Sequence, residues 1–316
     1  MFTDRLIERI IKCKNHTVVG LDPRLEYVPQ HIKDEALERI PEARDGHNTA
    51  KFAAEVFFRF NKEIIDSIFD VVPAVKPQVA FYEQYGVLGF ECYVKTCEYA
   101  RSKGLIVIGD VKRSDIGSTA EAYSDFYLGS NEYSAATDCI TINPYFGTDS
   151  ITPFIKDCER NEKGVFVLVK TSNKSSVDIQ DLVSDGRKIY EHVADLVVKM
   201  GKGLTGINGY SPVGAVVGAT FREDAVKLRG VMKNNYFLVP GYGAQGGTAE
   251  DAAVCFNKDG LGAVVNSSRG IIAAYKSEPF KGRFSEKEFG SASREAAIKM
   301  RDDINRELGK AGKLAW

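Results

Sequence analysis

The densest group of chemically useful side chains in this sequence follows a single aliphatic run. Residues 105–108 read Leu-Ile-Val-Ile, as in a fully buried strand of a parallel sheet, and Asp110, Lys112 and Asp115 come soon after. Asp110 and Lys112 are two residues apart, so they point the same way if the strand continues. Because buried charges are costly unless they are paired, two interpretations are open. The triplet forms either a salt-bridged strand end or an active site in which a lysine proton donor lies between two carboxylates.

The elements around this run alternate between strands and helices. Buried strands are predicted at 18–22, 74–78, 105–112, 139–143, 165–171, 215–219, 236–241 and 262–266. Helices are predicted at 2–14, 49–69, 81–103, from about 119, at 150–162, 180–200 and 221–232, from about 248, from 269, and at about 285–310. Eight βα units require parallel strands with helical crossovers. They predict an α/β protein in which residues 1–316 form a single (β/α)8 barrel domain, with an extra N-terminal helix and an appended C-terminal helix.

Two long segments do not follow this alternation. Residues 23–47 contain three prolines and many charges, so we interpret them as an excursion or lid rather than core. Residues 172–214 begin with a polar loop. The sequence itself assigns no role to either segment.

Charged and polar side chains are predicted at the carboxyl ends of several strands, where (β/α)8 barrels carry their active sites. The set comprises Asp22, Lys76, Asp110, Lys112, Asn143 and Thr171. A single charge at a strand end is usually structural. Stability provides no reason to gather several of them at one face, so their convergence favours the active-site interpretation.

A second group of residues, after the seventh and eighth strands, suits a phosphate. Residues 239–248 read Val-Pro-Gly-Tyr-Gly-Ala-Gln-Gly-Gly-Thr, and Arg269 opens a helix behind Asn266-Ser-Ser. Exposed backbone N–H groups, a helix N-terminus and an arginine together favour a phosphate dianion. The loop glycines alone could serve a tight turn, but the nearby arginine makes a phosphate site the preferred interpretation.

The composition argues against several classes of protein. The 316 residues include 42 basic and 43 acidic side chains, which predicts no nucleic-acid or membrane partner. No apolar run approaches the roughly 20 residues of a membrane span, and the first residues lack the apolar core of a signal peptide. Six scattered cysteines, several in apolar surroundings, predict buried free thiols and a cytoplasmic location. The four histidines form no metal-spaced cluster, so no structural zinc site is expected.

Several motifs resemble those of the orotidine 5′-monophosphate decarboxylase family. They are Asp110-x-Lys112-x-x-Asp115-Ile116 with Thr119 behind it, Val18-Val-Gly-Leu-Asp22, Ala74-Val-Lys76, Lys170-Thr-Ser172, Pro240-Gly-Tyr-Gly-Ala-Gln245 and Ser267-Ser-Arg269. Arg113 and Gly117-Ser-Thr119 are similar to the longer, bacterial-type branch. The Asp-x-Lys-x-x-Asp motif also occurs in sugar-phosphate relatives, but Lys76 and the glycine-rich run make the resemblance specific. It covers nearly the whole barrel.

The resemblance implies decarboxylation of orotidine 5′-monophosphate to UMP, the last step of de novo pyrimidine biosynthesis, with no cofactor and no metal. The implied catalytic residues are Lys112, Asp110, Asp115 and Lys76. The implied substrate-binding residues are Asp22, Ile116, Thr119, Ser172, Pro240, Gly241, Tyr242, Gly243, Gln245 and Arg269. Lys112 would protonate C6 of the pyrimidine as carbon dioxide leaves, and Asp110 would face the substrate carboxylate.

The resemblance also implies how the substrate is held and how chains assemble. Asp115 and Thr119 would reach into the site of a neighbouring subunit, so the implied assembly is a homodimer with shared active sites. The ribose would bind Asp22, the amide edge of the pyrimidine Ser172, and the phosphate Gln245, Arg269 and the backbone of residues 241–243. The sequence departs from the family pattern at 174–176, where Lys-Ser-Ser replaces the expected Pro-Gly type of turn.

Three alternatives remain open at this point. A sugar-phosphate lyase of the same suprafamily, either a keto-gulonate phosphate decarboxylase or a hexulose phosphate synthase, would hold magnesium with an acidic residue on strand two, where this chain has Lys76. A Schiff-base aldolase would need Lys112 or Lys170 as its nucleophile, and a protonated lysine flanked by carboxylates is a poor one. A non-catalytic phosphate-binding barrel would have no need of the whole charged array.

Overall fold

The computed structural model describes residues 1–243 and 246–316, and its main strands close into a barrel. The eight parallel barrel strands are β1 (Thr17–Leu21), β2 (Ala74–Pro77), β3 (Ile106–Arg113), β4 (Cys139–Ile142), β5 (Gly164–Lys170), β6 (Ser211–Val217), β7 (Asn235–Val239) and β8 (Ala263–Ser267). Each strand pairs with its neighbours along the chain, and β1 closes the barrel against β8. The predicted (β/α)8 barrel is confirmed.

Helices cover the outside of the barrel. The α-helices are α1 (Phe2–Cys13), α2 (Gln30–Arg39), α3 (Thr49–Ile68), α4 (Ala80–Glu83), α5 (Gly86–Ser102), α6 (Gly117–Leu128), α7 (Thr152–Asn161), α8 (Val177–Gln180), α9 (Ile189–Met200), α10 (Arg222–Val231), α11 (Ala249–Ala253), α12 (Arg269–Ile272) and α13 (Phe289–Lys310). Short 3-10 turns occur at Pro41–Asp45, Gly147–Ser150, Lys174–Ser176, Ala274–Lys276 and Glu286–Glu288. Within the described ranges, no helix combines the length and apolar character that a membrane span requires.

The alternation of side chains along the strands divides the core into two layers. The inner layer fills the barrel and includes Val18, Ile108 and Phe166. Helix α1 closes the bottom of this layer, because its amphipathic spacing buries Phe2 and Leu6 in the same cluster. The outer layer lies between the strands and the surrounding helices. All six cysteines are buried and free, which confirms the prediction of buried thiols.

The C-terminal helix α13 packs onto the barrel beside α3, α11 and α12. The sequence predicts a helix after the eighth strand, but α12 has only four residues. The ring of Phe289 in α13 stacks on Phe60 at 5.2 Å, and the hydroxyl of Ser293 donates to the carbonyl of Ile271 at 2.9 Å. The buried face of α13 therefore covers the part of the barrel that so short a helix leaves open.

Besides the short α12, three predicted segments differ in kind from the structure. Residues 23–47 contain α2, which buries Ile32 and Ala36, so this segment contributes to the core. The predicted helix at 81–103 is broken into α4 and α5 at Gly86, whose φ is +64°. The predicted helix at 180–200 begins only with α9, because residues 183–188 form a small hairpin. Its turn residues Asp185 and Gly186 both have positive φ, as two-residue hairpin turns require.

Candidate active site

A cavity of about 520 Å³ opens at the carboxyl ends of the barrel strands. Its lining includes ten of the residues that the sequence predicts for the site: Asp22, Lys76, Asp110, Lys112, Thr171, Ser172, Pro240, Gly241, Tyr242 and Arg269. They are contributed by the ends of β1, β2, β3, β5, β7 and β8 or by the residues that follow them. Side chains from distant parts of the chain therefore share one concave site, as expected for a barrel of this kind.

Asp110 is the centre of a charged row in this cavity. The ammonium group of Lys76, on β2, donates to Oδ2 of Asp110 at 2.7 Å, and that of Lys112, on β3, donates to Oδ1 at 2.6 Å. Lys76 and Asp110 are buried, whereas the side chain of Lys112 is 48% exposed. The carboxylate is thus held between two ammonium groups, of which one remains accessible from the cavity.

The two lysines keep Asp110 ionised. Burial by itself would raise the pKa of this carboxyl group, but the charges and hydrogen bonds of Lys76 and Lys112 outweigh burial and hold the pKa far below its usual range. Burial by itself would lower the pKa of Lys76, but the carboxylates of Asp110 and Asp22 outweigh it and raise that pKa. The row therefore carries a positive, a negative and a positive charge at neutral pH.

A bulge in β3 shapes the backbone beneath this row. The pairing of β3 with β4 shifts register between Gly109 and Arg113, where three residues of β3 face the single residue Thr141 of β4. Lys112 has a φ of +47°, a left-handed conformation that costs roughly 1–2 kcal/mol for a residue with a side chain. The sequence predicts a strand that simply continues through Asp110 and Lys112, so the bulge is a feature that only the structure reveals.

The proposed phosphate end of the site combines an arginine with a tight turn. Arg269 is exposed and lines the cavity, but α12 behind it has only four residues and so provides little helix dipole. Gly241 and Gly243 have φ values of +98° and +70°, which favour glycine. The N–H of Gly243 donates to the carbonyl of Gly247 at 2.8 Å, so this amide serves the turn itself. Gln245, also predicted here, lies outside the described residues.

Asp22 and Ser172 occupy other parts of the cavity wall. Oδ1 of Asp22 is buried and has no hydrogen-bond partner among residues 1–243 and 246–316. Because an unpaired buried polar atom is costly, this oxygen is suited to contact a polar group of a ligand. Ser172 packs against Gly218, where an added Cβ would lie 2.8 Å from the Cα of Ser172. Glycine at 218 therefore permits the ends of β5 and β6 to approach.

Some predicted residues lie away from the cavity of their own chain. Asp115, Ile116 and Thr119 are not found among the described residues that line it. They lie where β3 leads into α6, and Oδ1 of Asp115 accepts a hydrogen bond from the N–H of Ile116 at 2.8 Å. Oδ1 of Asn143 accepts one from the N–H of Tyr145 at 3.0 Å, so Asn143 stabilises the turn after β4 rather than the cavity.

Several cavity residues were not predicted as site residues from the sequence. They are Arg24, Tyr27, Phe81, Thr141, Leu168, Asn173, Val216, Leu238, Asn266, Ser267 and Ser268. Arg24 and Tyr27 belong to segment 23–47, and the guanidinium of Arg24 lies 5.1 Å from the ring centroid of Phe81. The segment that had no derivable role therefore forms part of the cavity wall. Two features of the sequence could have pointed to Arg24 and Thr141 as cavity residues. Arg24 is a charge two residues beyond Asp22, and Thr141 is the one hydroxyl inside the aliphatic strand Cys-Ile-Thr-Ile.

Fold and site together define a (β/α)8 barrel of the enzyme class that carries paired lysine and aspartate side chains in its mouth. Residues 18–279 match the family model described as orotidine 5′-phosphate decarboxylase / HUMPS family. The chain belongs to this family.

Individual relatives are similar over almost their whole length. The chain is 44% identical over 306 residues to the orotidine 5′-phosphate decarboxylase of Rhodopirellula baltica, covering 96% of this chain and 98% of that protein. It is 42% identical over 311 residues to the protein of that name from Clostridium acetobutylicum, covering 98% and 100%. Among solved structures, the OMP decarboxylase of Leishmania donovani aligns with a TM-score of 0.71 and 29% identity, covering 97% of this chain and 98% of that one.

Proposed function

We propose that this protein converts orotidine 5′-monophosphate to UMP and carbon dioxide, with Lys112 as the proton donor. The observation that carries this proposal is the row of Lys76, Asp110 and Lys112, in which one ionised carboxylate is held between two ammonium groups in the barrel mouth. The names of the relatives supply the substrate. UMP is the end product of de novo pyrimidine biosynthesis, so the enzyme would act in its last step.

The charges of the row favour loss of carbon dioxide. A substrate carboxylate bound beside Asp110 would be repelled by it, and two carboxylates about 4 Å apart repel by roughly 1–4 kcal/mol, depending on screening by water. Departure of neutral carbon dioxide removes this repulsion. The electron pair that remains at C6 faces the ammonium of Lys112, which is already in place and needs no reorganisation to stabilise it.

Proton transfer from Lys112 completes the reaction. The bond between C6 and the carboxylate carbon breaks, its electron pair stays on C6, and a proton from Nζ of Lys112 forms the new C6–H bond. The side chain of Lys112 is 48% exposed, so water in the open cavity can restore its proton after the product leaves. Asp110 orients the ammonium group through their 2.6 Å contact.

Three contacts would place C6 of the substrate beside Lys112. Asp22 would bind the ribose hydroxyls with its unpaired buried oxygen, Ser172 the amide edge of the pyrimidine, and Arg269 the phosphate. Pro240, Gly241, Tyr242, Gly243 and Gln245 belong to the turn proposed to surround that phosphate. Binding energy from the distant phosphate can then serve to hold the reacting carbon in place.

A homodimer with shared active sites would explain the placement of Asp115, Ile116 and Thr119. These residues lie beyond the end of β3, outside the cavity of their own barrel. Exposed apolar side chains occur on the same and the following loop, with Ile116 at 53%, Tyr145 at 79% and Phe146 at 56% exposure. A two-fold interface here would bury such a patch and bring each Asp115 to the partner's charged row.

The test is to follow the absorbance change of orotidine 5′-monophosphate with purified protein, with and without EDTA, and to identify UMP as the product. We expect equal turnover in both conditions. The family model also covers HUMPS proteins. A sugar-phosphate lyase would need magnesium, and the ammonium of Lys76 would repel that cation at the position where such an enzyme holds it. Activity that EDTA abolishes and magnesium restores would contradict a metal-free mechanism. A folded protein that does not consume the substrate would contradict the function itself.

A further inference from the structure

Thr141 is a polar side chain in an otherwise apolar strand. On β4, Ile140 and Ile142 belong to the outer core, whereas Cys139 belongs to the cluster inside the barrel. Thr141 shares the inner face with Cys139, is 1% exposed, and lines the cavity. A hydroxyl that is so deeply buried must find its hydrogen bonds within the protein.

Three hydrogen bonds use the full capacity of this hydroxyl. The backbone N–H groups of Val111 and Lys112 lie 3.1 Å and 3.0 Å from Oγ1 of Thr141. Amides can only donate, so they occupy both acceptor positions of the hydroxyl oxygen. The hydroxyl hydrogen is then directed to Oδ1 of Asp110, 2.9 Å away. One side chain on β4 therefore holds three consecutive residues of β3.

These bonds replace the strand pairing that the bulge interrupts. Between Gly109 and Arg113, the backbone of β3 is out of register with β4, and the amides of Val111 and Lys112 are bonded by a side chain instead. The left-handed backbone of Lys112 lies within this stretch. A strained conformation persists only where its surroundings hold it, and the hydroxyl of Thr141 is one contact that does so here.

Oδ1 of Asp110 is shared between this hydroxyl and the proton donor. It accepts from Thr141 at 2.9 Å and from Nζ of Lys112 at 2.6 Å, while Oδ2 accepts from Lys76. The orientation of the carboxylate is therefore set from three directions. Thr141 fixes both the backbone that carries Lys112 and the oxygen that orients its ammonium group.

We propose that Thr141 is a positioning residue for the decarboxylation, acting through Asp110 and Lys112. This inference rests on the roles that the proposed function gives to those two residues. Loss of the hydroxyl would leave the amides of Val111 and Lys112 without this acceptor and Oδ1 of Asp110 with Lys112 alone, so the charged row would shift relative to the substrate. A misplacement of about 1 Å can reduce a rate by ~10²-fold. The contacts proposed for ribose and phosphate come from other strands and would persist.

The experiment compares Thr141→Val, which keeps the branched shape and removes the hydroxyl, with Thr141→Ser, which keeps the hydroxyl. Thr17→Val is the matched control, because Thr17 is also buried but begins β1 at the opposite end of the barrel. We expect Thr141→Val to lower kcat by ~10- to 100-fold while KM and the Kd of UMP change by less than about 3-fold. Thr141→Ser should recover most of the rate, and Thr17→Val should match the unmodified protein.

Each outcome bears on the proposal. A normal kcat in folded Thr141→Val, or equal loss of kcat in Thr141→Val and Thr141→Ser, would overturn it. A parallel loss of UMP affinity and kcat would indicate a general disruption of the barrel and would also overturn it. If Thr141→Val does not fold, the smaller Thr141→Ala variant provides the same comparison with serine. Failure of the unmodified protein to convert the substrate would contradict the proposed function and is therefore a distinct result.

Discussion

Nζ of Lys112 lies 2.6 Å from Oδ1 of Asp110, and both side chains come from the bulged part of β3. The contact holds the ammonium group in one orientation, yet the Lys112 side chain remains 48% exposed to the cavity. Asp110 itself is tied on its other oxygen to Lys76. Hydrogen bonds within the protein therefore orient this pair, which is the preorganisation that the proposed electrostatic catalysis requires.

Lys112→Ala should nearly abolish turnover. The change removes both the proposed proton donor and the positive charge proposed to face the reacting carbon, so we expect kcat to fall by at least ~10³-fold. UMP should still bind, because the contacts proposed for the ribose and the phosphate are retained. Measurements of kcat with orotidine 5′-monophosphate and of UMP affinity by titration test this. Lys156→Ala, at an exposed position on α7, is the control, and near-normal turnover in Lys112→Ala would make the assignment wrong.

Arg269→Ala should discriminate between substrates with and without a phosphate. We expect the reaction of the nucleotide to lose about 2–5 kcal/mol in kcat/KM, as when one partner of a charge-assisted pair is removed. The much slower reaction of the nucleoside should be almost unchanged, since that substrate has no phosphate to bind. The measurement is kcat/KM for both compounds, with exposed Arg44→Ala as the control. Equal damage to both reactions would indicate a structural role for Arg269.

Two inactive variants should complement each other if the active sites are shared. Lys112→Ala and Asp115→Ala chains should each be nearly inactive alone. In a mixed dimer, one site combines both defects, and the other takes Lys112 from one chain and Asp115 from its partner. Random assortment of equal amounts makes about half of the dimers mixed, so about a quarter of all sites should recover.

The complementation assay consists of refolding the two variants together and comparing activity with each variant refolded alone. Mass labelling of one chain shows whether mixed dimers form. If subunits exchange but no activity returns, Asp115 acts within its own chain and the shared-site assembly is wrong.

His16 should make the protein less stable in acid. Burial lowers the pKa of His16 from 6.5 to about 3, and its ring stacks on Trp316 at 5.1 Å. Between these two pH values the unfolded chain binds a proton that the folded chain excludes. The free energy of unfolding should therefore fall by about 1.4 kcal/mol per pH unit as pH drops below 6.5, up to roughly 5 kcal/mol in total, with no contribution above pH 6.5.

Urea unfolding between pH 7 and pH 4 measures this dependence. His16→Gln should show a shallower decline than the unmodified protein, because its side chain does not titrate. His47→Gln, at an exposed histidine, should keep the original slope. An unchanged slope in His16→Gln would mean that the buried ring does not resist protonation.

Local patterns in the sequence determined the strands, the residues at their carboxyl ends and the class of fold. Runs of aliphatic residues ending in Asp22, Lys76 and Asp110 predicted both the strands and the charged side chains at their carboxyl ends, because strand burial and the alternation of side chains depend on near neighbours. The closed barrel followed from the count of βα units. The same reasoning predicted Arg269 as a phosphate ligand, because (β/α)8 barrels often bind phosphate after the eighth strand.

Only the tertiary structure decided which side chains meet. The bulge in β3 depends on its register with β4, so the three bonds of Thr141 and the left-handed Lys112 have no local signal. Segment 23–47 brings Arg24 to the cavity because its loop packs beside Phe81, and α13 covers a barrel face because α12 is short. Register and long-range packing are set by contacts between residues far apart in the chain, which is why periodicity alone does not reveal them.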